Sequence, residues 1–314
     1  MTTRPLILAS VTLATMTLTG QALAVSDQCR TVEFSDVGWT DITATTALTS
    51  EVLEAIGYEA NDTVLSVPVT YRSLSNNDID VFLGNWMPTM EADIAPYRED
   101  GSVETIRANL EGAKYTLAVP RNVYAAGLTS FENIADFADE LDGRIYGIEP
   151  GNDGNRLIQD MIDADAFGLG DFRLMESSEA GMLSQVARAE RRDEWIVFLG
   201  WEPHPMNANH DLEYLADGDD WFGPDFGGAT VYTNTRAGLV DECANLGTFL
   251  HNLEFTLDME NEVMAGILND GQDPRVAARS WLEANPGILE AWLDGVQTVD
   301  GEDALPVARA AFGH

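Results

Sequence analysis

The sequence predicts an α/β protein of two lobes joined by a hinge of two crossover segments. Two observations predict this fold class. Strand-like and helix-like segments alternate along the chain, which is the order expected of a sheet covered by helices. No low-complexity linker separates one domain from another, so lobes built from discontinuous segments would need only short crossovers between them.

The predicted strands are short apolar or β-branched runs bounded by turn residues. They cover residues 31–34, 63–67, 79–83, 115–119, 144–148, 195–199 and 229–233. The predicted helices have apolar residues at turn spacing. They cover residues 43–56, 156–167, 179–188, 241–253, 259–268 and 274–283. Gly57 ends the first helix, and Pro274 begins the last, where proline is favoured in the first turn.

Residues 112–115 and 227–230 are the predicted crossovers, because both contain glycines that can absorb backbone rotation. Lobe one then combines residues 25–114 with residues 232–314, and lobe two comprises residues 115–231. The two crossovers together form the predicted hinge.

Residues 1–24 have the features of a secretory signal peptide. Arg4 precedes a mildly apolar stretch, and Ala22-Leu23-Ala24 forms a small-x-small cleavage pattern. The stretch is too short and too Thr-rich to span a membrane, and no later segment is apolar enough. We therefore expect export, cleavage after Ala24 and no membrane span in the mature protein.

Cys29 and Cys243 are the two cysteines of the chain, and export places them where disulfides persist. We predict that they pair, the alternative being two separate buried thiols. The chain-entropy model gives such a large closed loop an upper bound of about 5 kcal/mol. Both cysteines fall in lobe one, so the disulfide would leave the hinge free.

The composition excludes some classes of function. With 17 Lys and Arg against 53 Asp and Glu, the net charge is −36, which excludes a nucleic-acid binder and disfavours an anionic membrane surface. A hydrophobic fraction of 45% with 9% aromatic residues indicates a folded core rather than acidic disorder. The acidic surface keeps the protein hydrated.

Three tryptophans stand in predicted loops directly after strands, each close to a glycine: Trp39, Trp86 and Trp201. Ligands bind at the carboxyl ends of strands in open α/β sheets. A single loop tryptophan is usually a packing anchor, but three in equivalent places indicate a binding site. The remaining tryptophans are assigned to the core, in a strand (Trp195) or in helices (Trp281 and Trp292), except for one in a polar loop that the sequence does not place (Trp221).

A box of aromatic rings favours a quaternary ammonium ligand, because such a cation donates no hydrogen bonds and is attracted to ring faces. At about 2 kcal/mol per desolvated contact, four rings would supply roughly 8 kcal/mol before ordering costs, on the scale of micromolar affinity. Such a site needs no cofactor, metal ion or nucleophile.

Four segments, residues 34–42, 80–90, 149–156 and 198–207, resemble the periplasmic choline-binding proteins. These belong to the betaine/choline branch of ABC-transporter substrate-binding proteins, and the resemblance extends over nearly all of the mature chain. It implies a two-lobed class II periplasmic binding protein fold with choline held between the lobes. It also implies a periplasmic location and a membrane permease as partner, and we expect the protein to act as a monomer.

The resemblance implies a set of site residues, and the sequence departs from it at none of them. Trp39 and Trp86 of lobe one and Tyr115 and Trp201 of lobe two would form the aromatic box. Asp41 and Asn152 would be the polar contacts. The resemblance also implies the pairing of Cys29 with Cys243. The implied mechanism is hinge closure, in which choline docks on lobe one and lobe two then covers it.

Asp41 offers a reason for ligand choice. When ionised, it would accept a hydrogen bond from the choline hydroxyl and attract the cation. Glycine betaine carries a carboxylate at that end, and two partly desolvated carboxylates repel each other. We therefore expect choline to be preferred, and acetylcholine to be tolerated although it is longer and lacks the hydroxyl donor. The alternative role of Asp41 is to cap the helix that begins at Thr43.

Asn152 stands in a Gly-rich turn before the helix that begins at Arg156. The turn has no lysine, and Glu149 and Asp153 would repel a phosphate, which argues against a nucleotide site. An amide that orients a hydroxyl fits better.

The alternatives to a choline receptor are an exported hydrolase and a receptor of the same class for another ligand. An exported hydrolase would need a base among the four histidines, but neither a Gly-x-Ser-x-Gly nor a His-Glu-x-x-His motif accompanies them. His204 and His210 form only a weak metal pair, and no metal site is predicted. Within the binding class, the alternative is a receptor for glycine betaine or trimethylamine oxide that uses the same box.

Overall fold

The computed structural model describes residues 25–314, and the predicted signal peptide lies outside them. The described chain contains one nine-stranded sheet. Its strands are β1 Thr31–Asp36, β2 Glu59–Val64, β3 Val81–Met87, β4 Val103–Pro120, β5 Arg144–Tyr146, β6 Arg173–Met175, β7 Phe198–Glu202, β8 Leu212–Tyr214 and β9 Gly228–Arg236.

Helices cover the sheet and complete the α/β architecture that the sequence predicts. They are α1 Thr40–Ala55, α2 Val67–Ser75, α3 Glu91–Glu99, α4 Arg121–Ala125, α5 Asp153–Asp163, α6 Glu179–Arg192, α7 Met206–Asn209, α8 Asp219–Phe222, α9 Pro224–Gly227, α10 Leu239–Glu242, α11 Ala244–Asn252, α12 Leu257–Leu268, α13 Pro274–Ala284, α14 Ile288–Trp292 and α15 Ala304–Ala311. Among the described residues, none of the helices is long and apolar enough to cross a membrane.

The sheet consists of two parallel flanks joined by an antiparallel centre. Its strand order is β2-β1-β3-β9-β4-β7-β5-β6, with β8 paired to β4. On one flank β1 runs parallel to β2 and β3, and on the other β5 runs parallel to β6 and β7. The antiparallel pair of β4 and β9 connects the flanks. Parallel flanks place the carboxyl ends of their strands at common edges, where side chains from several strands can meet.

Both predicted crossovers lie in this central pair. Ala113 pairs with Ala229 and Lys114 with Gly228, so the two segments form one antiparallel ribbon. Gly227 precedes it with a φ of 73°, and a Cβ there would collide with the carbonyl oxygen of Tyr115. Only glycine fits this position without strain. The chain passes between the two flanks twice, both times through this ribbon. This agrees with a hinge at the ribbon, which stays a prediction.

Several predicted boundaries were wrong. The second strand is residues 59–64 rather than 63–67, and Val67 already begins α2. The strand predicted from Trp195 begins at Phe198. The helix predicted over 241–253 is divided at Cys243 into α10 and α11. Ten elements were not predicted from the sequence: β6, β8, α2, α3, α4, α7, α8, α9, α14 and α15.

The predicted disulfide is confirmed. Cys29 and Cys243 are bonded with their Cα atoms 5.6 Å apart, and both are buried. The core assignment is confirmed for Trp292, which has no exposed surface. Trp195 and Trp281 are only half-buried: the first packs on Phe137, and the second donates its indole N–H to Glu262.

Candidate functional site

All six residues expected at the site lie around one cavity. About 250 Å³ of space free of protein atoms is lined by Trp39, Asp41, Trp86, Tyr115, Asn152 and Trp201, together with Ile148 and Asp153. The cavity lies between the parallel flanks of the sheet.

One wall of the cavity comes from α1 and β3. Trp39 occupies the N-cap position of α1, and Asp41 stands in the first helical turn. Trp86 lies near the carboxyl end of β3, inside the strand rather than in a loop after it. Its indole N–H donates to Asp41 Oδ2 at 3.2 Å. Each of these side chains is less than a tenth exposed, so the indole and the carboxyl group hold each other in a dry environment.

The opposite wall comes from β4 and β7. Tyr115 and Trp201 are direct partners across these antiparallel strands, and Trp201 also lies within its strand rather than after it. Their ring centroids are 6.3 Å apart at an interplanar angle of 81°. The centroids of Trp86 and Tyr115 are 6.0 Å apart at 61°. Rings inclined to one another in this way present faces and edges to a common space.

Asn152 positions Tyr115 as well as lining the cavity. Helix α5 begins at Asp153, three residues earlier than expected, and Asn152 is its N-cap. The Oδ1 atom of Asn152 accepts from the backbone N–H of Asn155 at 3.0 Å and from the Tyr115 hydroxyl at 2.8 Å. A Cβ at Gly154 would collide with that hydroxyl. The Gly-rich turn therefore makes room for a tyrosine rather than for a phosphate.

Asp41 differs from the expectation in two ways. It does not cap its helix, because α1 begins at Thr40 and places Asp41 inside the first turn. Burial, and then the negative charge of Glu179, raise the pKa of Asp41 to about 8, although the indole N–H of Trp86 and nearby helix amides lower it. A pKa near 8 means that, without a bound cation, Asp41 carries a proton at neutral pH, whereas the sequence predicts an ionised carboxylate.

Asp41 Oδ1 has no hydrogen-bond partner among the residues of the structure. Asp153 is the second acid of the cavity, and burial is the largest cause that raises its pKa, to about 6. Its Oδ2 atom likewise has no partner within residues 25–314. A cation inside the cavity would stabilise the ionised form of both groups.

Four residues in and behind the cavity were not expected there from the sequence. Ile148 and Asp153 line the cavity, and Glu179 and His204 form a buried pair behind it with Nε2 and Oε1 3.1 Å apart. The place of Asp153 directly after Asn152 in the Gly-rich turn was a signal for it. Glu179 had no signal, because its partners are distant in sequence. His204 and His210 each pair with a glutamate, and residues 25–314 contain no cluster of three potential metal ligands.

Comparison with known proteins assigns the family. A family model described as the substrate binding domain of an ABC-type glycine betaine transport system matches residues 30–284. The chain belongs to this family. The matched region includes all four segments of the sequence resemblance and every residue of the cavity.

Members of this family and related structures agree with the assignment. The structure of an ABC-transporter choline binding protein in complex with choline has 64% sequence identity and a TM-score of 0.91, covering 92% of this chain and 100% of the other. Its unliganded semi-closed form has the same identity and coverage and a TM-score of 0.85. A glycine betaine/carnitine transport binding protein of Listeria monocytogenes is 31% identical over 176 residues, which are 56% of this chain and 57% of that protein. The fold is therefore that of the periplasmic binding proteins.

Proposed function

We propose that this chain is the substrate-binding protein of an ABC importer that captures choline between two lobes and delivers it to a membrane permease. The observation that carries the proposal is the cavity enclosed by Trp39, Trp86, Tyr115 and Trp201 with the carboxyl group of Asp41 inside it. Four buried rings offer π faces to a cation that cannot donate hydrogen bonds. Among residues 25–314, no positively charged side chain lines the cavity and would compete with the cation.

Asp41 would supply the polar contact. Its unpartnered Oδ1 is free to accept the choline hydroxyl, and binding a cation lowers the cost of ionising the group. Asn152 is already engaged with Tyr115 and Asn155, so its contribution is to hold the Tyr115 ring in place. Asn152 Nδ2 donates to Asp153 at 3.2 Å.

The wider setting follows from the same proposal. The protein would be exported to the periplasm by cleavage after Ala24 and act there as a monomer. Lobe one would comprise residues 25–114 and 232–314, and lobe two residues 115–231. Both would close on the ligand about the ribbon of β4 and β9, and the closed form would be recognised by the permease. The ligand would be bound and released without chemical change.

A second candidate is a receptor for glycine betaine or trimethylamine oxide. The protonation of Asp41 favours it, because a neutral carboxyl can donate a hydrogen bond to a carboxylate or an N-oxide instead of repelling it. The family is that of an ABC-type glycine betaine transport system, and the relative from Listeria monocytogenes is a glycine betaine/carnitine transport binding protein. The two candidates differ in the charge of the ligand, which a direct comparison resolves.

The test is isothermal titration of residues 25–314 with choline, glycine betaine, trimethylamine oxide and acetylcholine at pH 8.5, where Asp41 is mostly ionised. We expect choline to bind with a Kd on the order of micromolar and betaine to bind at least about tenfold more weakly. Equal affinities would favour the second candidate. Failure of all four ligands to bind would reject the aromatic site.

A further inference from the structure

The carboxylate of Glu179 connects the two proposed lobes. Glu179 lies in the first turn of α6, in lobe two, and is 4% exposed. Its Oε2 accepts from the backbone N–H of Thr40 at 2.9 Å, and its Oε1 accepts from the Thr40 hydroxyl at 2.5 Å. Thr40 belongs to lobe one and stands between Trp39 and Asp41. Glu179 therefore binds the segment that carries two side chains of the cavity, from the opposite side of the cleft.

Helix α1 has no cap of its own. Trp39 occupies the N-cap position and supplies no side-chain hydrogen bond. The first N–H groups of a helix lack partners and carry partial positive charge, so a carboxylate is the acceptor that satisfies them best. Glu179 is that acceptor, and it reaches α1 only when the two lobes are together. The contact is thus a property of the closed form.

His204 holds Glu179 in the ionised state. Its Nδ1 accepts from the Met206 backbone N–H at 2.9 Å, which leaves Nε2 to donate to Glu179 Oε1 at 3.1 Å. Burial raises the pKa of Glu179, but the hydrogen bond and electrostatic attraction of His204, together with the hydrogen bonds from Thr40, outweigh it and hold that pKa below its ordinary value. The His204 ring also packs against Trp201, with centroids 4.8 Å apart.

We propose that Glu179 is a closure latch and a positioning residue, whose engagement with Thr40 places its negative charge beside Asp41 and is therefore favoured by a cation in the cavity. A quaternary ammonium would offset the repulsion between the two carboxylates, whereas a zwitterion would offset less of it. This inference rests on the proposed function. Other titratable groups also influence the pair: Asp36, Glu149, Glu260 and His204.

The latch predicts a response to pH without any ligand. Protonation of Asp41 removes the same repulsion that the cation offsets, so the empty protein should close more at pH 6 than at pH 9. A residue that only stabilised the fold would not produce this response. The response should require the charge of Glu179.

The first experiment measures the distance between lobes by pulsed electron spin resonance. Labels are attached through Val69→Cys in lobe one and Met175→Cys in lobe two, both exposed positions, since the two native cysteines are bonded to each other. In the ligand-free protein, Glu179→Gln should shift the distances toward an open form and abolish their change between pH 6 and pH 9. Glu190→Gln is the matched control, because Glu190 lies on the same helix and pairs with His210 at 2.7 Å within lobe two.

The second experiment measures choline kinetics by stopped-flow fluorescence. Glu179→Gln should accelerate dissociation by about tenfold and change association by less than about twofold, because a buried charged contact affects mainly the off-rate. Thr40→Val removes one of the two contacts and should act in the same direction more weakly. If Glu179→Gln does not fold, Thr40→Val tests the latch instead, through its ligand-free distances and its rate of choline dissociation.

The latch is rejected if Glu179→Gln matches the wild type and Glu190→Gln in ligand-free distances, pH response and choline dissociation. If the wild type does not bind choline, the proposed function fails. In that case the ligand-free distances still decide whether Glu179 holds the lobes together. The two failures are therefore distinguishable.

Discussion

At the scale of single residues, the cavity depends on side chains that hold one another in place. Trp86 is bonded to Asp41, and Tyr115 to Asn152, so each polar group fixes a ring as well as facing the cavity. Because buried polar groups without partners are costly, the unpartnered oxygens of Asp41 and Asp153 are notable. A ligand that forms hydrogen bonds with these two oxygens would offset the free energy lost by burying them without partners.

Trp86→Ala tests the aromatic wall. We expect choline affinity to fall at least about tenfold, because one desolvated cation–π contact and the partner of Asp41 are both lost. Trp195→Ala is the control, because Trp195 is half-buried and packs on Phe137 away from the cavity. Titration calorimetry of both variants gives the comparison, and circular dichroism verifies that both are folded. An unchanged Kd for Trp86→Ala would make this residue a packing residue.

The pKa of Asp41 predicts a pH-dependent affinity. Below about pH 8 the empty protein carries a proton on Asp41, which a bound cation would displace. Affinity for choline should therefore rise with pH, by at most about tenfold per pH unit, and level off above pH 8. Glycine betaine should show the opposite trend, because its carboxylate favours the protonated acid.

Calorimetry at pH 6, 7, 8 and 9 in buffers of different ionisation enthalpy measures both the affinity and the protons released. Asp41→Asn should bind choline more weakly at pH 9 and lose the dependence attributed to Asp41. The pKa of Asp153, at about 6, adds a smaller contribution at the acidic end. A wild-type affinity that does not change between pH 6 and pH 9 would refute the assignment.

At the scale of elements, the positions of helices and strands were predictable where the apolar pattern was strong. Helix α13 is an example, predicted over 274–283 and observed as Pro274–Ala284. Helix α1 was predicted although it is rich in threonine; it is buried along most of its length, and the hydroxyls of Thr45 and Thr49 donate to carbonyl oxygens of the preceding turn. The prediction missed its start by three residues, because Trp39 is not a favoured N-cap residue. The cap comes from Glu179, which is distant in sequence.

The missed elements have physical causes. Strand β2 lies at the edge of the sheet and buries only Ala60, so its polar sequence shows no alternation. Helix α2 has Pro68 in its first turn, a signal that was available but was overlooked in favour of an apolar strand. Helix α3 contains Pro96, which usually ends a helix. Trp39, Trp86 and Trp201 were singled out by their positions near strand ends, whereas Tyr115, Asp41 and Asn152 came from the resemblance. Periodicity alone does not bring Trp39 and Tyr115 together.

Helix α12 carries a buried acid whose titration should affect stability. Glu260 is 2% exposed, and burial, followed by the negative charge of Asp41, raises its pKa well above the ordinary 4.5. At a pH between the ordinary pKa of 4.5 and the raised pKa of the folded protein, Glu260 is ionised in the unfolded chain but protonated in the folded one. Stability should therefore fall as the pH rises, by at most about 1.4 kcal/mol per pH unit.

Glu260→Gln removes this proton uptake, so the variant should gain stability over the wild type, and the gain should grow from pH 5 to pH 8. Urea denaturation of the ligand-free protein measures the difference. Glu262→Gln, an exposed acid on the same helix, is the control and should change little. A gain that is the same at both pH values would show that Glu260 is not protonated in the fold.

At the scale of the whole molecule, stability and ligand capture depend on different connections. The disulfide joins residues 214 positions apart, and both belong to the segments assigned to lobe one. The contacts across the proposed cleft are instead hydrogen bonds and ion pairs: Thr40 with Glu179, and Arg156 with Asp93 and the Thr89 carbonyl oxygen, each of the last two at 2.9 Å. Such contacts can separate when the lobes open, whereas the disulfide cannot.

Removal of the disulfide should therefore lower stability without weakening binding. The double variant Cys29→Ser with Cys243→Ser should lose up to about 5 kcal/mol of unfolding free energy, because the unfolded chain regains the entropy of an open loop. Its choline Kd should stay within about twofold of the wild type at a temperature where both are folded, because neither cysteine lines the cavity. Urea denaturation and calorimetry on the same samples give both quantities. A large loss of affinity in the folded variant would mean that the disulfide constrains the cleft, and that the division into lobes places Cys243 on the wrong side of the hinge.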